Sequence, residues 1–324
     1  MRRTPTRLLT LAIALTTLAA CEAPLKPESE KQATGPSTGP SASSRPTQQT
    51  TEQATRQATP SPTAIAPPKP SITVPKVTPL PKVSGALFGG DISWPQCPRG
   101  LGIPEKRSEG IPLPLPEARF VVIGLTNGPG FVANPCLADQ VRYARQRKLL
   151  TSAYSVISGP TRFTPADAER TGPFDGSTRV GALSNIGFQQ ARFNIDSMKR
   201  AGFSTPFVWL DIETVPKFDW SSDKAANAAV IRGAAKGYTD GGYGVGVYST
   251  PYLFAGVAGG LRLNVPEWRA AGQTSRAEAL SRCGNDWVIQ GGRGVLAQWV
   301  AQSRDLNVTC PGATAQLGRF FHQY

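Results

Sequence analysis

Histidine is nearly missing from this chain. Among its 324 residues there is one, His322, in the C-terminal tail. That excludes Ser-His-Asp and Cys-His nucleophilic catalysis and the usual histidine-rich metal sites. Cysteine is scarce as well, with five residues, and none stands in a C-x-x-C pair or near a histidine, so zinc binding is disfavoured. The apolar run from Leu8 to Ala20 is shorter than the roughly 20 residues a membrane-spanning helix needs. Acids are fewer than bases, 22 against 35, for a net charge of +13. Any catalysis must therefore rest on carboxylates, with hydroxyls or amides in support, and no metal or cofactor is expected.

What is present begins with an export signal. Arg2, Arg3 and Arg7 precede the apolar run, which ends Leu18-Ala19-Ala20-Cys21. This ending resembles the lipobox of bacterial lipoproteins, which implies cleavage before Cys21 and lipidation of that cysteine, with residues 1–20 as the signal. A lipid there would hold the protein on the outer face of a membrane. Residues 21–84 are rich in Pro, Thr, Ser and Gln with almost no aromatics, so they cannot bury enough apolar surface to offset ordering entropy, and a disordered tether is expected. Its proline-dense part, Pro60 to Pro81, suits an extended spacer.

Residues 85–324, about 240 in all, match the size of a single α/β barrel. Apolar strands alternate with helical patterns: strands over 89–94, 119–125, 149–157, 207–215 and 243–248, and helices over 136–148, 185–201 and 222–240 with Ser221 or Ser222 as N-cap. Thr250 to Ala255 starts a helix or turn. Glu267 and Trp268 fall near the end of a strand over 265–271, and 287–290 with 295–300 form a closing pair. The alternation implies an irregular (β/α) TIM-like barrel, with no internal repeat. Excluding Cys21, four cysteines allow three pairings. Cys97–Cys136 and Cys283–Cys310 are favoured, because each pair flanks neighbouring elements and closes the shorter loops. The basic balance of an exported chain points to an anionic partner such as cell-wall polymer or lipid headgroups, not nucleic acid, and a monomer is expected.

The most telling stretch is Phe207-Val208-Trp209-Leu210-Asp211-Ile212-Glu213. It reads as a buried strand that ends in two acids on one face. Burial and mutual repulsion raise the proton affinity of one of them, and a proton-holding acid beside an ionised one is what glycosidic cleavage requires. For a bare D-x-E the plainer reading is a surface loop or a helix cap. Asp91 ends the first strand, and Asp305 follows the segment Ala297-Gln298-Trp299-Val300. Barrel chemistry sits at strand C-terminal ends. Trp94, Tyr154, Trp209, Tyr248, Trp268 and Trp299 stand at the same ends, and aromatics with carboxylates suit a glycan groove.

Several segments, in order, resemble the glycoside hydrolase family 25 lysozymes and related domains of exported bacterial proteins. Gly90-Asp91-Ile92-Ser93-Trp94-Pro95-Gln96 is similar to the opening G-[IV]-D-[IV]-S-x-x-Q, and Phe120 to Gly128 to the second strand. Val208 to Glu213 resembles the D-x-E strand, Gly246-Val247-Tyr248-Ser249 the G-[IV]-Y-[ST] strand, and Gln298-Trp299 through Asp305-Leu306-Asn307 the terminal Q-[WY]…D-x-N. The resemblance implies hydrolysis of the β-1,4 bond from N-acetylmuramic acid to N-acetylglucosamine. Glu213 would be the general acid, and Asp211, Asp91 and Asp305 would line the centre. Trp94, Asn127, Tyr154, Trp209, Tyr248, Trp268, Gln298 and Trp299 are the expected glycan-binding residues.

The chain departs from the family pattern at Thr126-Asn127-Gly128, where T-E-G is usual, and at Tyr154-Ser155-Val156, where aromatic-His-aromatic is usual. Residues 161–179 form an extra loop. Three functions follow as expectations: a membrane-anchored hydrolase of cell-wall glycan, a non-catalytic glycan-binding lipoprotein, or a hydrolase of another glycan.

Overall fold

The computed structural model describes residues 85–324. The expected signal at 1–20, the lipidation of Cys21 and the tether over 21–84 lie outside the described residues. Eight strands close into a barrel: β1 (Phe88–Ile92), β2 (Phe120–Gly124), β3 (Leu150–Val156), β4 (Phe207–Asp211), β5 (Gly244–Ser249), β6 (Glu267–Gln273), β7 (Gly294–Ala301) and β8 (Arg304–Thr309). Neighbours from β1 to β7 pair in parallel, while β8 runs antiparallel to both β7 and β1. A short β9 (His322–Gln323) pairs antiparallel with the start of β3.

Helices α1 (Leu137–Gln146), α2 (Arg179–Arg200), α3 (Lys224–Asp240), α4 (Pro251–Ala258) and α5 (Arg276–Ser281) fill the connections from β2 to β7. The first connection has no long helix; residues 93–119 wind as a loop. Disulfides Cys97–Cys136 and Cys283–Cys310 form as expected, the first tying this loop to the start of α1 and the second tying the end of α5 to the end of β8.

Side chains along each strand alternate between lumen and outer layer. Outward residues such as Val121, Ile123, Val208, Leu210, Val245 and Val247 pack against the helices. Inward residues stack in layers. Phe120, Leu150 and Phe207 fill the lower lumen, which Phe320 and Phe321 plug. Trp209 fills the middle, completely buried, and donates from Nε1 to Ser152 Oγ at 3.1 Å. It fits because Gly246 faces it on β5: a Cβ there would fall on the indole ring.

Several boundaries differ from expectation. Helix α2 begins six residues earlier than Asn185, at Arg179, because Thr178 Oγ1 caps it by accepting from Gly181 N–H. Asp223, not Ser221 or Ser222, caps α3, accepting from Ala225 and Ala226 N–H at 3.0 and 3.1 Å. Glu267 opens β6 rather than ending a strand. Residues 287–290 do not pair with β7; the Ile289 and Gln290 N–H groups donate instead to the Glu267 carboxylate, at 3.0 and 2.8 Å. That carboxylate also accepts from Arg269 in a fully buried ion pair. The true closing pair is β7 with β8, joined by a two-residue turn in which Gln302 and Ser303 have φ of 54° and 55°.

Gly246→Ala should overpack the lumen and lose roughly 1–3 kcal/mol of stability. Urea unfolding checks this, and adding Trp209→Leu should recover part of the loss. Undiminished stability in Gly246→Ala would contradict the layer packing.

Candidate active site

The parallel strands end at one mouth, and β8, running the other way, starts there. Asp91 of β1, Asp211 at the end of β4, Glu213 just beyond it and Asp305 near the start of β8 meet in a single pocket of about 380 Å³, with Tyr154, Tyr248, Trp268 and Gln298 in its walls. The antiparallel β8 therefore places its N-terminal acid where a parallel strand would place its C-terminal one.

Glu213 lies past the last residue of β4, so the ladder alone does not fix it. Side bonds do. Ile212 N–H donates to Tyr248 O at 3.0 Å, Ser249 Oγ to Ile212 O at 2.6 Å, and Trp220 Nε1 to Glu213 O at 2.9 Å. On the other flank Ile157 N–H donates to Asp211 O at 3.1 Å.

Asp91 is the most tightly held acid. Gln298 Nε2 donates to its two oxygens at 3.2 and 3.1 Å, and Asn307 Nδ2 donates to Oδ2. Both amides are themselves oriented: Tyr248 OH donates to Gln298 Oε1 at 2.7 Å, and Trp268 Nε1 to Asn307 Oδ1 at 2.7 Å. Each amide is thereby turned with its NH₂ toward Asp91. Tyr154 reaches the pocket because Gly124 opposes it on β2; a Cβ there would stand 2.7 Å from the ring.

All four acids hold protons more tightly than usual. Burial is the first cause throughout. For Asp91 the charge of Asp305 adds to it, while Gln298 and Asn307 oppose. For Asp211 the added charges are Glu213 and Asp91, and its Oδ1 is buried without a partner. Glu213 is raised from 4.5 to about 7, by burial and Asp305, with Lys106 pulling back. Burial raises Asp305 from 3.8 to about 6. Among the described residues, no group of three or more His, Cys, Asp or Glu side chains is arranged to hold a metal ion.

The structure gathers the four expected acids with Tyr154, Tyr248, Trp268 and Gln298 at the pocket, and leaves the other four expected glycan contacts outside its lining. Trp209 faces inward one layer too deep. Trp299 faces outward, buried beneath α5 and 6.0 Å from the Phe88 ring. Trp94 is half-buried in the turn after β1. Asn127 is completely buried and holds the first loop: Oδ1 accepts from Ile103 N–H at 2.8 Å and Nδ2 donates to Lys106 O at 2.9 Å. Sequence reasoning quoted Asn307 in the terminal motif without giving it a role, though it sits two residues from Asp305 on the same strand face, and it missed Lys106, which no local pattern marks.

The raised acids bind more protons in the folded chain than in the unfolded one, so stability falls as pH rises through their window, from about 4 to about 7. The thermal midpoint should be higher at pH 5 than at pH 8. Asp211→Asn, which removes one buried charge, should flatten that slope and gain roughly 1 kcal/mol at pH 8, about 2–4 °C. A pH-independent midpoint in the unsubstituted chain would refute the crowding.

No family model matches the sequence, and no curated protein matches it. Solved structures do. A muramidase from Trichobolus zukalii is similar at 17% identity over 72% of this chain and 98% of that one, with a TM-score of 0.47. A family GH25 lysozyme from Aspergillus fumigatus is similar at 15% identity over 73% and 99%, TM-score 0.44. The bacterial lysozyme from Streptomyces coelicolor is similar at 13% identity over 73% and 97%, TM-score 0.45.

Proposed function

We propose that this chain is a muramidase-like glycoside hydrolase of cell-wall glycan, working by carboxylate acid catalysis. One observation carries the reading: Glu213, its proton affinity raised to about 7 by burial and Asp305, shares one pocket with Asp91, whose oxygens accept from two oriented amides. Glu213 would give its proton to the glycosidic oxygen as the bond breaks. Amide donors favour the ionised form of Asp91 against its burial, which suits it to face the positive charge that develops on the sugar. The unpartnered Asp211 Oδ1 would accept from a sugar hydroxyl or an acetamido N–H, relieving a buried orphan acceptor. Tyr154, Tyr248 and Trp268 offer ring faces and edges to the sugar.

The setting proposed is extracytoplasmic: the signal at 1–20 directs export, Cys21 carries the lipid, and the tether lets the barrel reach the wall. The two disulfides support this, since such bonds persist in oxidising compartments.

Purified protein on defined wall glycan should release reducing ends, with kcat/KM falling above about pH 7 as Glu213 loses its proton. Glu213→Gln should lower kcat by roughly 10²–10⁴-fold while still melting in one cooperative transition. Equal turnover by that variant would remove the mechanism. Wall binding with no reducing ends from the unsubstituted chain would instead identify a non-catalytic glycan-binding protein.

A further inference from the structure

The rim of the mouth is built unequally. On one half the connections that follow β1, β2, β3 and β4 are long, running over 93–119, 125–136, 157–178 and 212–223. On the other half β5 passes to α4 through Thr250 alone, β6 to α5 through 274–275, and β7 to β8 through 302–303. A long connection spreads over surface beyond its strand, whereas one or two residues leave the rim low.

The long connections are laced together. Asn127, just beyond β2, holds Ile103 and Lys106 of the first connection by its two hydrogen bonds. Gly128, with φ of +89°, lets the neighbours close in: a Cβ there would stand 3.1 Å from Lys106 Cγ, 3.8 Å from the Phe218 ring and 3.9 Å from Ile103 Cδ1. Phe218 belongs to the connection after β4 and is buried, in a turn closed by its N–H donating to Val215 O at 2.8 Å. Arg162, from the connection after β3, pairs with Glu105 at 2.5 Å. Its guanidinium also lies 4.3 Å from the Phe163 ring centre and 5.7 Å from that of Phe218, and the two rings are 6.1 Å apart. Contacts therefore run from the first connection past the ends of β2 and β3 to the connection after β4. An exposed ion pair is weak alone, but stacking on two rings gives this one a second hold. The wall adjoins the pocket, because the connection that carries Phe218 also supplies Glu213 and the Trp220 that fixes it.

The low half carries an aromatic ring instead. Tyr252 stands in the first turn of α4, directly after β5, whose Tyr248 lines the pocket. It is 80% exposed, more than any other large apolar side chain among the described residues. A ring held in water at the rim offers its face to the apolar face of a sugar.

We propose that this barrel cuts glycan from a chain end: the end of a strand enters the pocket and stops against the laced wall, and the rest of the strand leaves over the low half, across Tyr252. The inference rests on the hydrolase reading above and adds where along the strand the cut falls. A groove low on both sides would take any internal bond, whereas a pocket walled on one side takes an end. Its volume of about 380 Å³ lies near the small end of the roughly 300–1,000 Å³ that ligand pockets span, which suits a terminal unit. Each cut adds one water across one bond. The glycosidic oxygen leaves with the proton of Glu213, the hydroxyl of water joins the anomeric carbon, and the other proton of water passes to a pocket carboxylate.

The test digests long wall-glycan strands, freed of peptide, with the full chain, and compares new reducing ends with mean strand length. Reducing ends should accumulate in one small saccharide while the long strands hardly shorten. An early fall in mean length, with products of every size, overturns end-cutting. The Arg162→Ala/Phe163→Ala variant lowers the wall without touching an acid of the pocket, and intermediate lengths should become its main early products. An unchanged product pattern from that variant, folded, overturns the wall. Tyr252→Ala keeps the proposal testable if the loop variant does not fold, since so exposed a ring supports little of the structure. It should raise KM on long strands roughly three- to tenfold and leave kcat unchanged. An unchanged KM overturns the path across Tyr252. If no strand is cut, the hydrolase reading fails, and binding decides the rest separately by sedimentation. End recognition fixes the number of protein molecules bound per strand whatever its length; a number that grows with strand length, or no binding, overturns it.

Discussion

The burial of four carboxyl groups in one pocket is the constraint around which the mouth of this barrel is built. Left to themselves, Asp91, Asp211, Glu213 and Asp305 would separate into water, where each charge is solvated. Backbone geometry prevents that. Asp91 and Asp211 are lumen-facing positions of strands buried on both sides, Asp305 is pinned by the β7–β8 ladder, and Glu213 is fastened by Trp220 and the neighbouring β5. Buried first and crowded second, the group lowers its energy by keeping protons: burial raises all four affinities, and neighbouring acids add to it at Asp91, Asp211 and Glu213.

The surroundings then distribute those protons unequally. Two amides aim their N–H groups at Asp91, and Tyr248 and Trp268 keep the amides from turning over. Asp211 has no such donors. Burial and the charge of Asp305 raise the proton affinity of Glu213 and Lys106 tempers it, which leaves it at about 7. The mouth thus sets one acid with an affinity of about 7 beside another that accepts from two oriented amides. It is also a source of instability, since an apolar filling of the same mouth would fold more firmly.

Much of this was legible in the chain. The alternation of strands and helices gave the barrel, and the near absence of histidine forced attention onto acids that the fold indeed brings together. Cysteine spacing gave both disulfides. What failed did so for physical reasons. Gln298 and Trp299 are consecutive in a strand, so only one can face the lumen, and the amide does; alternation alone could have separated them. Trp209 shares the inward face of Asp211 but sits one layer deeper, and depth along a barrel axis leaves no mark in the sequence. The stretch at 287–290 is apolar enough for a strand, but its backbone donors are claimed by Glu267, a contact 22 residues away.

Asn127 bears on whether the pocket works or has decayed. Read alone, an amide in place of the usual acid in that strand suggests a site losing its chemistry. The side chain does not face the pocket. It is wholly buried and uses both ends of its amide to clamp the loop that carries Lys106, whose charge acts on Glu213. A carboxylate at 127 could accept from Ile103 N–H but could not donate to Lys106 O, so the clamp would open on that side and leave a buried charge facing a carbonyl. An amide is the group that this loop geometry requires, and the loop it clamps carries a cation whose charge acts on Glu213. The amide at 127 is accounted for by the loop it holds, so its presence is no sign that the pocket has decayed.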